Sequence, residues 1–244
     1  MIFFKKNNFL KDLISDNFID IHSHLLFGID DGAKNFDDTL FLTNALIELG
    51  VYQIITTPHT MQSVWENTSE IILNKKNEVV VLLKQNGVKI PFNTASEYLL
   101  DDNFVKRFQS EPLLTLKDNY VLVEMSYLNA PIQLYSILFD LQIAGYKPVL
   151  AHPERYLFYH SNFNEYNKLK KAGCLFQLNL LSTVGYYGEN VALISKKLLD
   201  SGLIDFVGTD AHHKNHLKAL QNKVILKDIS PLKVAIVNNN FFKF

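Results

Sequence analysis

The sequence has 244 residues and a single cysteine, Cys174. A lone thiol cannot close an intramolecular disulfide, which suits a reducing compartment and makes a cytoplasmic location the expectation. No apolar run reaches the roughly 20 residues that span a bilayer. The opening Met1-Ile2-Phe3-Phe4-Lys5-Lys6 places its charges after a very short apolar stretch, unlike a secretory signal. Membrane insertion is therefore not expected. Charge of neither sign dominates: 24 Lys and Arg stand against 25 Asp and Glu, a net charge of −1 with no block of like charge. A nucleic-acid partner, which calls for a basic face, is disfavoured. No stretch rich in Pro, Gly or Ser divides the chain, and there is no repeat or low-complexity tract beyond Asn238-Asn239-Asn240. One domain over residues 18–244 is the economical reading. Residues 1–17 read as an N-terminal extension, a short amphipathic helix with Phe3, Phe4, Leu10, Leu13 and Ile14 packed under the domain.

What is present is alternation. Short apolar runs at Phe18–Ile21, Tyr52–Thr57, Lys89–Thr94, Tyr120–Glu124, Lys147–Ala151, Cys174–Asn179 and Ile204–Gly208 read as strands. Helix-period segments lie between them. Leu42, Ala45, Leu46 and Leu49 share one face; Ile72, Val79, Leu82 and Leu83 share another; Ile132, Tyr135, Phe139 and Ile143 share a third, with Pro131 where a first helical residue tolerates it. Gly50, Gly87, Gly145, Gly173 and Gly202 each close a helical pattern just before a strand. Such repeated αβ units predict a mostly parallel sheet, and seven strands in this order fit an irregular barrel better than an open sheet. A closing helix after Gln221, with Ala235, Ile236 and Val237 in its apolar part, completes the pattern.

His, Asp and Glu gather at the C-terminal ends of these strands, the face on which α/β barrels build active sites. The first strand runs into Asp20-Ile21-His22-Ser23-His24, and an extended chain points both imidazoles to one side. The next ends are Thr57-Pro58-His59, Ala95-Ser96-Glu97, Val123-Glu124, His152-Pro153-Glu154-Arg155 and Thr209-Asp210-Ala211-His212. Taken singly, His22 and His24 could be a solvated or core-satisfied pair, and Glu124 could answer a neighbouring lysine or arginine. Six of seven strand ends so equipped are another matter, because burying them together without cations leaves many charges unpaired. The donors are nitrogen and oxygen without thiolate, which suits Mn, Fe or Zn and does not choose among them. His160, His213 and His216 fall outside strand ends and read as loop or surface residues.

These motifs, with Gly28-Ile29-Asp30-Asp31-Gly32, Glu97-Tyr98, Glu124-Met125-Ser126 and Arg155-Tyr156, resemble the polymerase and histidinol phosphatase (PHP) superfamily. Within it they are similar to the bacterial metal-dependent protein-tyrosine phosphatases of capsule and exopolysaccharide loci. The match runs in order from about Asp20 to about His213. The resemblance implies a distorted (β/α)7 TIM-like barrel, the PHP fold, with two to three divalent ions, manganese first and Fe, Zn or Mg as options. One ion is then expected at His22, His24, Glu97 and Asp210. A second takes Glu97 as a bridge with Glu124 and His152, and a third takes Asp31, His59 and His212. Asp30 is expected to hold the turn before Gly32 rather than an ion.

Arg155 matches the phosphate-binding arginine, and no covalent phosphoenzyme is needed. The family often has an arginine after the Asp-x-His motif; here His213, Lys214 and His216 stand in that stretch, with none assigned to its role. His213, Trp65 and Tyr127 are candidate substrate contacts, as are Tyr186 and Tyr187, although each ring could equally pack its loop. A thiol mechanism fails on the sequence, because Cys174 leads into the apolar run Leu175-Phe176-Gln177-Leu178-Asn179-Leu180 and no phosphate loop follows. The implied partner is a tyrosine-phosphorylated protein, a polysaccharide-export tyrosine kinase. Alternatives are a small-molecule phosphatase of the histidinol-phosphate type, an exonuclease-like phosphodiesterase and a non-catalytic regulatory module.

Overall fold

The computed structural model describes residues 8–14 and 17–244. A single helical turn, α1 (Leu10–Leu13), leads into β1 (Phe18–Asp20), α2 (Phe36–Glu48) and β2 (Val51–Thr56). Then come β3 (His59–Thr60), α3 (Ser69–Gln85), β4 (Phe92–Thr94), β5 (Glu97–Leu99) and α4 (Asp102–Ser110). The second half runs β6 (Tyr120–Glu124), α5 (Leu134–Ile143), β7 (Lys147–Ala151), α6 (Asn164–Lys171), β8 (Leu175–Asn179), α7 (Glu189–Asp200) and β9 (Phe206–Gly208). Helices α8 (Lys214–Ala219) and α9 (Ser230–Asn238) close the chain. All strand pairs within the sheets are parallel.

The ladders form two sheets, β1-β2-β4 and β3-β5-β6-β7-β8-β9. They are one ring. Thr57-Pro58 interrupts β2 and β3, and Ala95-Ser96 interrupts β4 and β5, yet the register runs on from Thr56↔Thr94 to His59↔Glu97. Proline has no N–H to give the ladder. The pairing survives because Ala95 N–H donates to the Thr56 carbonyl (2.9 Å) and Glu97 N–H to the Pro58 carbonyl (3.1 Å). Counting each broken pair as one strand, the nine segments make the seven strands of a distorted α/β barrel.

The seam between β9 and β1 is stitched near the strand ends. Asp210 N–H donates to the His22 carbonyl (2.7 Å) and His24 N–H to the Ala211 carbonyl (3.0 Å). The buried Asp20 carboxylate accepts from Thr209 N (2.9 Å) and Oγ1 (2.7 Å). Lower down, Asn239 fills the gap, its amide donating to the carbonyls of Ile19 (2.8 Å) and Val207 (2.7 Å). Phe242 then plugs the barrel floor against Phe206 and the interior apolar layer of Ile19, Ile55, Leu122 and Val149. The tail after Gln221 therefore closes the barrel.

The segment 1–17 holds one helical turn among its described residues. Leu10 and Ile14 are buried in the core cluster beneath the barrel, and Leu13 packs against it; Phe3 and Phe4 lie outside the described residues. No described helix is long and apolar enough to cross a membrane.

One helical face differs from expectation. Ile132, just before α5, is 103% exposed, and on the helix Tyr135, Phe139 and Ile143 are 42, 63 and 73% exposed, while Leu134, Ile137, Leu138 and Leu141 are buried. Both sets have helical spacing, so periodicity could not choose between them. Pro131 also lies before the helix, its carbonyl accepting from Leu134 N–H.

Candidate metal centre

The strand ends converge. His22 and His24 leave β1 on one side, and their Nε2 atoms stand 3.3 Å apart. Glu97 Oε2 lies 3.2 Å from His22 Nε2 and 3.4 Å from His24 Nε2. Asp210 Oδ1 lies 3.3 and 3.4 Å from the same two atoms. Around this nucleus, His152 Nε2 is 3.1 Å from Glu97 Oε1, and His59 Nδ1 is 3.2 Å from Glu97 Oε2 and 2.8 Å from Glu124 Oε1. Asp31 Oδ1 is 3.5 Å from both His59 Nε2 and His212 Nε2.

The imidazoles are held from behind. His22 Nδ1 donates to Gln177 Oε1 (2.6 Å), His24 Nδ1 to Asp30 Oδ2 (2.8 Å) and His212 Nδ1 to the Asp210 carbonyl (2.9 Å). Each bond places the proton on Nδ1 and turns the Nε2 lone pair inward, the arrangement usual for metal-ligating histidine. Gly208 is required here, because a β-carbon would stand 2.6 Å from His22 Cβ and 2.8 Å from Gln177 Nε2. His152 (φ 36°) and Asp210 (φ 49°) hold left-handed backbone conformations that non-glycine residues seldom adopt. Such strain gathers at functional sites.

The donor set fits cations. Lone pairs of two imidazoles and two carboxylates face one point, and nothing in the protein answers them except protons. His59 Nδ1 and Glu124 Oε1 are 2.8 Å apart without hydrogen-bond geometry, and both atoms, with His152 Nδ1, are buried without any other hydrogen-bond partner. In the absence of an ion, protons would have to compensate. Burial opposes charge on His59, but Glu124 and Glu97 outweigh it and push the imidazole up to about 9. Burial likewise opposes charge on His22, and Glu97 and Asp210 raise it. Glu97 and Asp210 are held well below the carboxylate range despite burial, His22 being the leading opposing charge for each. A divalent ion would replace these protons and serve the same carboxylates.

Four groups of side chains could each hold an ion: His24-Asp31-His59-His212, His22-Glu97-His152, His22-His24-Asp210 and His59-Glu97-Glu124. The nine residues expected as ligands all occur among them, and Glu97 belongs to two groups. The memberships differ from the expected sets: His24 joins the Asp31 group, Glu97 groups with His22 and His152 rather than with His22, His24 and Asp210, and Glu124 stands with Glu97 beside His59 rather than with His152. Asp30 holds the turn, accepting from Gly32 N (3.0 Å), and orients His24 as well.

Beside the cluster lies a cavity of about 230 Å³, lined by Tyr127, Arg155, Tyr187, His213 and His216 together with the ligand residues. Arg155 Nη1 donates to Asp210 Oδ2 (2.9 Å), and its guanidinium lies 4.8 Å from the Tyr127 ring centre and 4.1 Å from that of Tyr187. Asn179 Nδ2 donates to Asp210 Oδ2 (2.7 Å) and Tyr187 Oη (3.1 Å). Tyr127 and His213 line this cavity. Trp65 does not line it; its loop carries it to the wall of a separate cavity with Phe104 and Arg107. His216 also departs from expectation. It is 7% exposed rather than a surface residue, because α8 folds its ring inward, and its Nδ1 accepts from His212 N–H (3.2 Å). Burial, then the neighbouring His213, pushes it down to about 4.

A model of the family described as capsular polysaccharide synthesis, CpsB/CapC, matches residues 18–224. The chain belongs to this family. The CpsB/CapC relatives include the tyrosine-protein phosphatase YwqE of Bacillus subtilis (strain 168), 30% identical over 196 residues that cover 80% of this chain and 77% of that protein. The tyrosine-protein phosphatase CpsB of Streptococcus pneumoniae is 29% identical over 203 residues, covering 80% of this chain and 83% of CpsB. A solved structure described as YwqE from Bacillus subtilis and CpsB from Streptococcus pneumoniae, "unique metal-dependent tyrosine phosphatases", superimposes with a TM-score of 0.77 at 26% identity. It covers 92% of this chain and 88% of that one.

In this CpsB/CapC chain, charge-bearing motifs were readable and their neutral supports were not. Gln177 and Asn179 close β8, the one strand end without His, Asp or Glu. Their signal was two amides spaced two apart in an otherwise apolar strand, which puts both on the barrel's inner side.

Proposed function

We propose that this chain is a metal-dependent protein-tyrosine phosphatase holding two to three divalent ions, manganese first among Mn, Fe, Zn and Mg. The convergence of His22, His24, Glu97 and Asp210 beside Arg155 carries the reading. His152, Glu124, His59, Asp31 and His212 complete the ligand set, Glu97 serving as the bridge. Ions bound there supply Lewis acidity, positive charge for phosphoryl oxygens and acidified water at neutral pH.

The protein's own contribution is placement. Arg155 offers a planar fork matched to two phosphate oxygens. Tyr127 and Tyr187 clamp its plane from two sides, and Asp210 fixes its height relative to the cluster. The small cavity admits a phosphate and the near edge of an aryl ring, and the rings of Tyr127 and Tyr187 wall it. His213 and His216 are both held below the ordinary histidine range, by burial first, and stay neutral at pH 7. Neither is a strong acid for the departing oxygen. A phenolate leaves without much acid help, which favours phosphotyrosine over alkyl phosphates.

The natural partner on this reading is a tyrosine-phosphorylated polysaccharide-export kinase met in the cytoplasm; the relatives' names support a phosphotyrosine substrate, and the family description supports a link to capsule synthesis. Metal analysis paired with turnover of a phosphotyrosyl peptide tests it. The metal-loaded protein should turn over the peptide, chelation should stop it, and Arg155→Ala should slow it strongly with metal content nearly unchanged. Much faster hydrolysis of a free phosphorylated metabolite than of the peptide overturns the assignment to protein substrates.

A further inference from the structure

The phosphate cavity has a neighbour. A second cavity of about 570 Å³ shares Asp31, His212 and His213 with it as a common wall. This space opens where α2 meets α8 and is lined further by Lys34, Lys214, Asp38 and Phe41. A chain whose phosphotyrosine enters the first cavity must lay its adjoining residues over one side of the mouth. The shared wall makes this cavity a place for them.

Its chemistry is selective. Neither the Lys34 nor the Lys214 ammonium is within ion-pair distance of a carboxylate among the described residues. Asp31 faces His59 and His212, its Oδ1 3.5 Å from the Nε2 of each, and is engaged there. Asp38 is tied to the backbone, its Oδ2 accepting from Lys34 N–H (3.1 Å). Two uncommitted cations therefore flank a space whose carboxylates already have partners. Phe41 is 54% exposed beside them and offers a flat apolar surface. Lys214 lies outside the phosphate cavity, so its charge is directed elsewhere than the scissile group.

We propose that this second cavity is a peptide subsite that takes an acidic side chain flanking the phosphotyrosine. The proposal rests on the phosphatase reading above and adds the sequence context of the substrate. Lys34 and Lys214 pair with the acidic group, and Phe41 supports the intervening peptide.

The test uses the metal-loaded protein and three phosphotyrosyl peptides differing only in Glu, Gln or Lys at the positions within three of the tyrosine. p-Nitrophenyl phosphate, which has no flanking residues, is the control substrate. Wild type should favour the Glu peptide over the Lys peptide through KM by about three- to ten-fold, the scale two exposed ion pairs supply. Lys34→Ala/Lys214→Ala should erase the preference, and Lys34→Glu/Lys214→Glu should invert it. Turnover of p-nitrophenyl phosphate should stay within about two-fold throughout. Affinities of matching non-hydrolysable phosphonate peptides, read by fluorescence anisotropy, should rank the same way. Equal KM for the three peptides, or a preference that persists in the double alanine variant, overturns the subsite and leaves the phosphatase standing. If neither peptides nor p-nitrophenyl phosphate are hydrolysed, the phosphatase reading fails, and the anisotropy ranking alone decides whether the cavity selects acidic flanks.

Discussion

Gln177 Oε1 accepts the Nδ1 proton of His22 at 2.6 Å, and this bond between two fully buried side chains decides which imidazole nitrogen faces the cluster. Supports of this kind typically change metal affinity by 10- to 100-fold. Gln177→Ala should lower metal affinity by about that factor while the fold persists, as read by metal titration alongside circular dichroism. Unchanged affinity would show that His22 needs no partner behind it.

The metal-free protein should lose stability as pH rises. His59 sits near 6.5 when unfolded and at about 9 in the fold, raised by Glu124 and Glu97 against burial. A raised imidazole contributes its full stabilisation below the unfolded value, and the contribution disappears as pH climbs through the folded one. His22 and His24 are raised too and act in the same direction. The urea midpoint of the chelated protein should therefore fall between about pH 6.5 and 9. Bound metal replaces these protons, so the loaded protein should fall much less over that window. Identical profiles with and without metal would refute this account of the site.

Cys174 is buried and pushed up to about 12, by burial first, so it is not a nucleophile. Cys174→Ser should keep most activity, whereas chelation should abolish it. Loss of turnover in the serine variant with fold and metals intact would point to thiol chemistry instead.

The two faces of α5 should respond oppositely. Leu138 is buried, and Leu138→Ala should cost about 2–5 kcal/mol. Ile143 is 73% exposed, so Ile143→Gln should change stability by no more than about 0.5 kcal/mol. Denaturant titration of both variants checks the assignment, and a large loss from Ile143→Gln would reverse it.

The strands were legible because apolar runs alternated with glycine-closed helical patterns, and β6 and β7 fall where the pattern placed them. The resumption of pairing beyond Thr57-Pro58 and Ala95-Ser96 was not foreseen, because the apolar runs end at Thr57 and Thr94 and only the neighbouring strand shows that His59 and Glu97 pair again. Helix α5 was misread because a helix apolar on two sides has no preferred face until something packs on it.

By itself, the sequence determined the alternating architecture, the residue types at the strand ends and the absence of a reactive thiol, since periodicity and composition are local properties. Tertiary structure decided which donors share a point, which amide holds each imidazole and which rings reach the cavity. Those are distances between residues as far apart in the chain as His22 and Gln177, and ring closure sets them.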